Sequence, residues 1–424
     1  MGLGTTRERL AYLDGLRGIA VLLVLVHHAL RYLVLMVPNH GGVPHLLWQS
    51  ATYWGDQGVA LFLVLSGFCL SIGPLKRRAL GESEWFSPRE FFARRCLRIL
   101  PPYYAALGAC LILLALCQEL KWPAFGSDNG YGLGPGDIIS HILLIHNLLG
   151  HTYAVNVPFW SLALEWQWYW IFPLVLVGIV AKPRLTLSVC VALMLSWILG
   201  VVTFALAGHG HVPELFQVAQ ARAMLPMRLF EFACGVAAAR FAVAARPARS
   251  GRLPLALVGL VLFVGTLAIW PVTVDYQMNG LLAGGAFALV VVIAATSPCA
   301  ARALAPPSLV RLGIVSYSVY LAHNPALQAV EHLLVGRAPV IVVVSGGIVA
   351  GLAAGIVLHL TVERWSMRRS TWDSWGPMLT RRLAWTDPLY VRRINRARVK
   401  QPQGQPTPRS ILPNSALWSV SVVD

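Results

Sequence analysis

The chain has 424 residues, 57% of them hydrophobic and only 12% charged, with a mean hydropathy of +0.63. A soluble domain carries about 25% charged residues, so the composition excludes a soluble globular protein and predicts an all-α polytopic membrane protein. The net charge of +16 would suggest a nucleic-acid partner in a soluble chain, but its placement along the sequence assigns it elsewhere.

A polar lead over 1–17 precedes the first apolar span, 18–37. That span is too long and too polar at its start for a cleaved signal peptide, and no small-residue cleavage site follows. The second span is predicted at 57–73, then a basic loop runs from Lys76 to Arg98, and the third span follows at 99–118. The stretch 138–150 is apolar but shorter than the ~20 residues that a crossing needs, so it is read as a short re-entrant or interfacial helix. Further spans at 160–180, 185–207, 224–241, 254–270, 279–297, 312–335 and 338–360 bring the expected total to about ten. From Glu363 the chain turns arginine-rich, and beyond about residue 400 it is rich in Pro, Gln and Ser, the composition of a disordered tail. The expected organisation is a membrane-embedded domain over 1–365 and a cytoplasmic tail over 366–424.

Ten spans with both termini cytoplasmic can be tested against the basic residues. Of the 34 Lys and Arg, 18 fall in the inside segments ahead of the tail, 11 in the tail and five elsewhere. Topology and anionic lipid therefore account for the positive charge, and nucleic-acid binding is set aside. The seven cysteines include no CxxC pair and lie mostly in apolar runs, so they read as small core residues. No Walker loop, GxSxG elbow or HExxH is present. His209 and His211 lack a carboxylate partner, and no metal is expected. His141, His146 and His151 recur every five residues, which does not align on a helix, and read as interfacial side chains.

The first span carries an unusual polar set. Each helical residue turns about 100°, so Arg17 and His28, eleven steps apart, lie about 20° apart on one face. Asp14 shares that face and Arg31 extends it, whereas His27 turns away. His28 lies roughly 16 Å above Arg17, near mid-bilayer. Ionisable groups at that depth are expensive and mark function or a partner helix. Arg95 and Arg98, three apart, share a helix face just before the third span. Paired guanidiniums suit phosphate, although such residues also serve as a positive-inside anchor. Glu165 sits one turn into the fourth span from the outside, with Ser161 and Tyr169 at i−4 and i+4 able to hydrogen-bond it. Ser316, Tyr320 and His323 share a face of the ninth span, with His323 at a depth like that of His28. Arg228 and Glu231 read as mutual neutralisation.

Six stretches carry a family resemblance in order: DGLRGIA with HH at 14–28, GVALFLVLSGF at 58–68, RRCLRILPPYY at 94–104, FWSLALEWQWYWIFP at 159–173, SYSVYLAHNP at 316–325 and VER at 362–364. Together they resemble the acyltransferase-3 family of integral membrane acyltransferases, over about 12–365. The resemblance implies transfer of an acyl group, often acetyl, from cytoplasmic acyl-CoA to a sugar hydroxyl of a surface polysaccharide, glycolipid or antibiotic. It puts the essential basic residue and histidine on Arg17 and His28, and the Arg-x-x-Arg element on Arg95 and Arg98. Departures are the extra His27, Leu63 in place of a second Phe, and Glu165-Trp166 in place of Glu-Glu. No SGNH-type domain follows the tenth span, which implies the stand-alone form.

The expected roles follow. Arg95 and Arg98 hold the phosphates of acyl-CoA, with acetyl-CoA the expected donor. His28 is the general base on the acceptor hydroxyl or an acyl-carrying nucleophile. Arg17 steadies the donor or developing negative charge and Asp14 orients it. Glu165 positions a carbohydrate-containing acceptor from the outer side, with Ser161, Tyr320 and His323 in support. A transporter or flippase would use the same mid-membrane groups, and a non-enzymatic assembly partner would be indifferent to loss of His28. Thirty Arg against four Lys suggest a GC-rich bacterial genome.

Overall fold

The computed structural model describes residues 11–36, 45–120, 133–206, 223–245 and 279–368. Among these the chain is all helix, without a strand. The long helices are α1 (Ala11–Met36), α2 (His45–Ala79) and α3 (Pro88–Glu119). A short α4 (Pro135–Ile142) leads to α5 (Phe159–Ala181) and α6 (Pro183–Leu206). Then come α7 (Leu225–Ala244), α8 (Asn279–Thr296), a short α9 (Pro298–Ala303), α10 (Pro307–Leu334) and α11 (Val340–Leu358). A π-helical turn, His359–Glu363, closes α11.

Six of these helices are long and apolar enough to cross a membrane by length and composition. Helices also occupy the expected places of the sixth, eighth and ninth spans, whereas the predicted span at 254–270 lies outside the described residues. The total of ten is thus not established by the described residues. The stretch 138–150 does not cross: α4 ends at Ile142 and turns follow. The basic loop is shorter than predicted, because α2 runs on to Ala79 and α3 already starts at Pro88. Arg95 and Arg98 therefore sit two to three turns inside a helix rather than ahead of it.

Helix α2 is the centre of the bundle. Of its most apolar window, 72% is buried, against 17% for α6 and 22% for α11, which present Leu199 and Ile341 outward. Lipid is as apolar as leucine, so helices associate through close packing of small residues and polar contacts rather than by hydrophobic burial. Glycines supply that closeness here. A Cβ on Gly15 would overlap the carbonyl of Leu304, and one on Gly313 of α10 would overlap the carbonyl of Asp14. Gly67 of α2 and Gly235 of α7 meet the opposite backbones in the same way, at Phe232 and Val64. Gly351 and Gly355 seat α11 on His323 and Val319. The first of these crossings brings α1 against α10, and that crossing builds the site.

Candidate active site

Arg17 stands on the buried side of α1. Its Nη1 donates to Asp14 Oδ1 at 2.8 Å, one turn back, and its Nη2 donates to Cys69 Sγ of α2 at 3.4 Å. Arg17, Arg95 and Arg98 converge on one open cavity between α1, α2, α3, α5 and α10. Helical spacing explains the pairing on α3, where residues three apart share a face. Nε of Arg95 is buried without a hydrogen-bond partner. An orphaned buried donor beside a cavity is costly unless an acceptor arrives.

Glu165 lines the same cavity. It accepts from Tyr169 Oη at 2.6 Å, one turn along α5, and lies within electrostatic range of Arg17 and Arg95. The expected bond from Ser161 to Glu165 is replaced by another. Ser161 Oγ lies 2.7 Å from Tyr320 Oη of α10 and donates to the carbonyl of Pro158. Glu165 thus faces the arginines, where sequence depth put it near the opposite surface.

His28 is not on the cavity wall. It is buried one level away, with Nδ1 3.0 Å from Nε2 of His323. His27 stacks edge-on to His28 at 5.0 Å between ring centroids. Tyr320 joins the two levels: it lines the cavity, packs edge-on to Phe62 at 5.9 Å, and its ring lies 6.0 Å from that of His323. The predicted residues therefore form two connected groups. Arg17, Arg95, Arg98, Glu165, Ser161 and Tyr320 share the cavity, and His28 with His323 sits beyond Tyr320.

Other side chains, to which the sequence assigns no role, join the site. Cys69 was read as core but lines the cavity. Tyr317 also lines it and donates to the carbonyl of Ile99 at 3.0 Å, tying α10 to α3. Its position three residues before Tyr320 was the available signal. Glu363 accepts from Ser318 at 2.6 Å, lies 2.9 Å from His359 Nδ1, and sits within electrostatic range of Arg98. Asn156, in the loop before α5, donates to the Leu321 carbonyl and accepts from Asn324, bracing α10 beside the histidines. No periodicity marks a loop residue of that kind.

The remaining polar groups lie apart. Arg228 and Glu231 pair at 2.8 Å in the buried face of α7, as expected. His141 and His146 are not at a surface: both are fully buried and stack at 3.9 Å with rings 3° from parallel. Burial lowers His141 to about 4, and its Nδ1 lies 2.7 Å from the Asp137 carbonyl. His209 and His211 lie outside the described residues.

The acyltransferase-3 family model, described as an acyltransferase domain, matches residues 10–360. The chain belongs to the acyltransferase-3 family. It is similar to the exopolysaccharide production protein ExoZ of Rhizobium meliloti, at 27% identity over 340 residues, 74% of this chain and 90% of ExoZ. It is equally similar, at 27% over 379 residues, to BcsY of Komagataeibacter xylinus, a candidate membrane-bound transacylase, covering 84% of this chain and 83% of BcsY. A third relative is YrhL of Bacillus subtilis, a candidate peptidoglycan O-acetyltransferase, 27% identical over 43% of this chain and 26% of YrhL. No solved structure matches the chain. As a member of the acyltransferase-3 family the protein is a membrane acyltransferase, and the cavity and histidine pair are where its chemistry is to be sought.

Proposed function

We propose that the protein moves an acetyl group from cytoplasmic acetyl-CoA to a sugar hydroxyl of a surface glycan, glycolipid or glycosylated metabolite. The observation that carries this reading is the cavity itself. Three guanidiniums from two helices line it, and Tyr320 at its wall leads to the His28–His323 pair. The unpartnered Arg95 Nε offers a charge-assisted bond to a phosphate oxygen. The acceptor class rests on ExoZ, whose name refers to exopolysaccharide production.

In this reading Arg95 and Arg98 hold phosphates of the donor, and the thioester lies toward Tyr320. His28 takes the proton of the acceptor hydroxyl as its oxygen attacks the thioester carbonyl. The C–S bond then breaks, coenzyme A leaves as the thiolate, and the ester forms. The thiolate recovers the proton that His28 took. Arg17 lies where negative charge gathers during this exchange. Glu165 restrains Arg17 and Arg95 from the cavity wall.

The test is turnover of radiolabelled acetyl-CoA by the purified protein in nanodiscs, with polysaccharide, glycolipid and glycoside acceptors offered in turn. Label appearing as an O-acetyl ester, dependent on His28, is the expected result. Binding of acetyl-CoA without any release of coenzyme A, or passage of an acceptor across the bilayer without acylation, would overturn the reading.

A further inference from the structure

We infer that His323 is a positioning residue that locks His28 into a single tautomer, with its lone pair on Nε2. The inference rests on the reading of His28 as the base and adds the means by which that base is prepared. Nδ1 of His323 lies 2.9 Å from the Tyr320 carbonyl oxygen and 3.0 Å from that of Val319. Carbonyl oxygens only accept, so Nδ1 of His323 carries the hydrogen. A neutral imidazole with hydrogen on Nδ1 has its lone pair on Nε2. That Nε2 lies 3.0 Å from His28 Nδ1. Nδ1 of His28 must therefore donate, and it carries the hydrogen of its own ring. The carbonyl of Val24, one turn back on α1, also pairs with the His28 ring, as a carbonyl must with an N–H. The base of His28 is left on Nε2, on the opposite side of the ring from His323.

The other arrangement is unfavourable. With hydrogen on Nε2 of His28, two lone pairs would face each other at 3.0 Å in a buried site. His28 would then have no base on its outer edge. When Nε2 does take a proton, Nδ1–H keeps its bond to His323, and no second proton moves. His323 is held for this task. It is fully buried, and Gly351 of α11 lies so close that an added Cβ would stand 3.0 Å from the Cβ of His323. Asn324, the next residue, is tied to Asn156 at 2.8 Å.

The experiment uses the full-length protein in nanodiscs, labelled with ¹⁵N-histidine. The His28 resonances are assigned by their loss in His28→Gln. The expected wild-type spectrum has His28 protonated on Nδ1. In His323→Leu only the Val24 carbonyl still holds Nδ1–H, so the Nε2–H form should appear beside the Nδ1–H form. Turnover of acetyl-CoA should fall about 10²-fold in kcat, with an unchanged KM because His323 does not touch the cavity. His323→Gln can offer a side-chain carbonyl near the position of Nε2 and should restore both tautomer and kcat. A wild-type His28 protonated on Nε2 would overturn the inference, even if neither His323 variant folds. So would an unchanged tautomer in His323→Leu, or a loss of kcat in that variant that His323→Gln fails to rescue. If instead the tautomers behave as expected while His28→Ala keeps full turnover, the base assignment fails and the positioning geometry stands.

Discussion

Arg17 of α1 reaches α2 and donates from Nη2 to the thiol sulfur of Cys69 at 3.4 Å, while its Nη1 is held by Asp14. The contact places a thiol on the wall of the arginine cavity, beside a guanidinium. Cys69 is therefore a reporter of occupancy. In a variant keeping Cys69 as its one cysteine, a small charged methanethiosulfonate should react with it. A thioether analogue of acetyl-CoA should slow that reaction at least tenfold. Equal labelling rates with and without the analogue would show that the donor binds elsewhere.

The phosphate assignment is tested by donor kinetics. Arg95→Ala and Arg98→Ala should each raise the KM for acetyl-CoA by about tenfold or more, since a charge-assisted hydrogen bond contributes about 1.5–3 kcal/mol. Arg94→Ala is the control. Arg94 pairs with Glu90 at 3.1 Å and is absent from the cavity wall. If Arg94→Ala raises KM as much as the other two, the effect is general surface charge and not a site.

His28 and His27 are adjacent in sequence but differ in what they touch. His28 hydrogen-bonds His323, whereas His27 sets its ring edge-on to His28. His28→Ala should lower transfer by about 10²–10⁴-fold, the usual cost of losing a general base. His27→Ala should keep at least a tenth of wild-type activity. Comparable activity in the two variants at matched protein levels would sink the assignment.

The crossing of α1 and α10 has no room for a side chain at Gly313, whose Cβ would overlap the Asp14 carbonyl. Both partners are backbone, so neither can swing aside. Gly313→Ala should lower stability by about 1–3 kcal/mol, read as a fall in Tm in detergent. Gly285→Ala on α8 meets nothing within 4 Å and should leave Tm unchanged or slightly raised, as alanine is the better helix former. Equal losses in both variants would remove the crossing as the explanation.

His141 gives a pH signature. Burial lowers its folded pKa to about 4, whereas an unfolded histidine titrates near 6.5. Between these values the unfolded state binds more protons, so stability rises with pH there. The contribution is complete above about pH 6.5 and lost as pH falls toward 4, of order 3 kcal/mol in total. Asparagine places its amide where Nδ1 was, so His141→Asn keeps the donor to the Asp137 carbonyl and removes the titration. The drop in Tm from pH 7 to pH 5 should shrink in that variant. An unchanged drop would assign the effect to other groups.

Helix phase, readable from spacing alone, foretold which side chains share a face. Asp14 and Arg17 do meet, and Arg95 and Arg98 do turn toward one cavity. Equal depth likewise hinted that His28 and His323 stand at one level. Spacing could not say which helix each face meets. Thus Ser161, at the right interval to bond Glu165, bonds Tyr320 on another helix instead. Depth also misled where a helix begins earlier than its apolar run, as α3 does at Pro88. The polar first turns carry Arg95 and Arg98 into the bundle, where they line one cavity with Glu165. The burial of His141 and His146 was illegible because His146 lies in the turns after α4, off any periodic face, and stacks on His141 from there.

The histidine pair spans 295 positions of sequence, from the first described helix to α10. During synthesis, α1 enters the membrane long before α10 is made. Until then His28 lacks its contact with His323, and the cavity lacks the wall that Tyr317 and Tyr320 provide. On the proposed reading, a half-built chain therefore lacks a competent site until α10 is in place. On that reading, completing insertion and gaining reactivity would be one step rather than two.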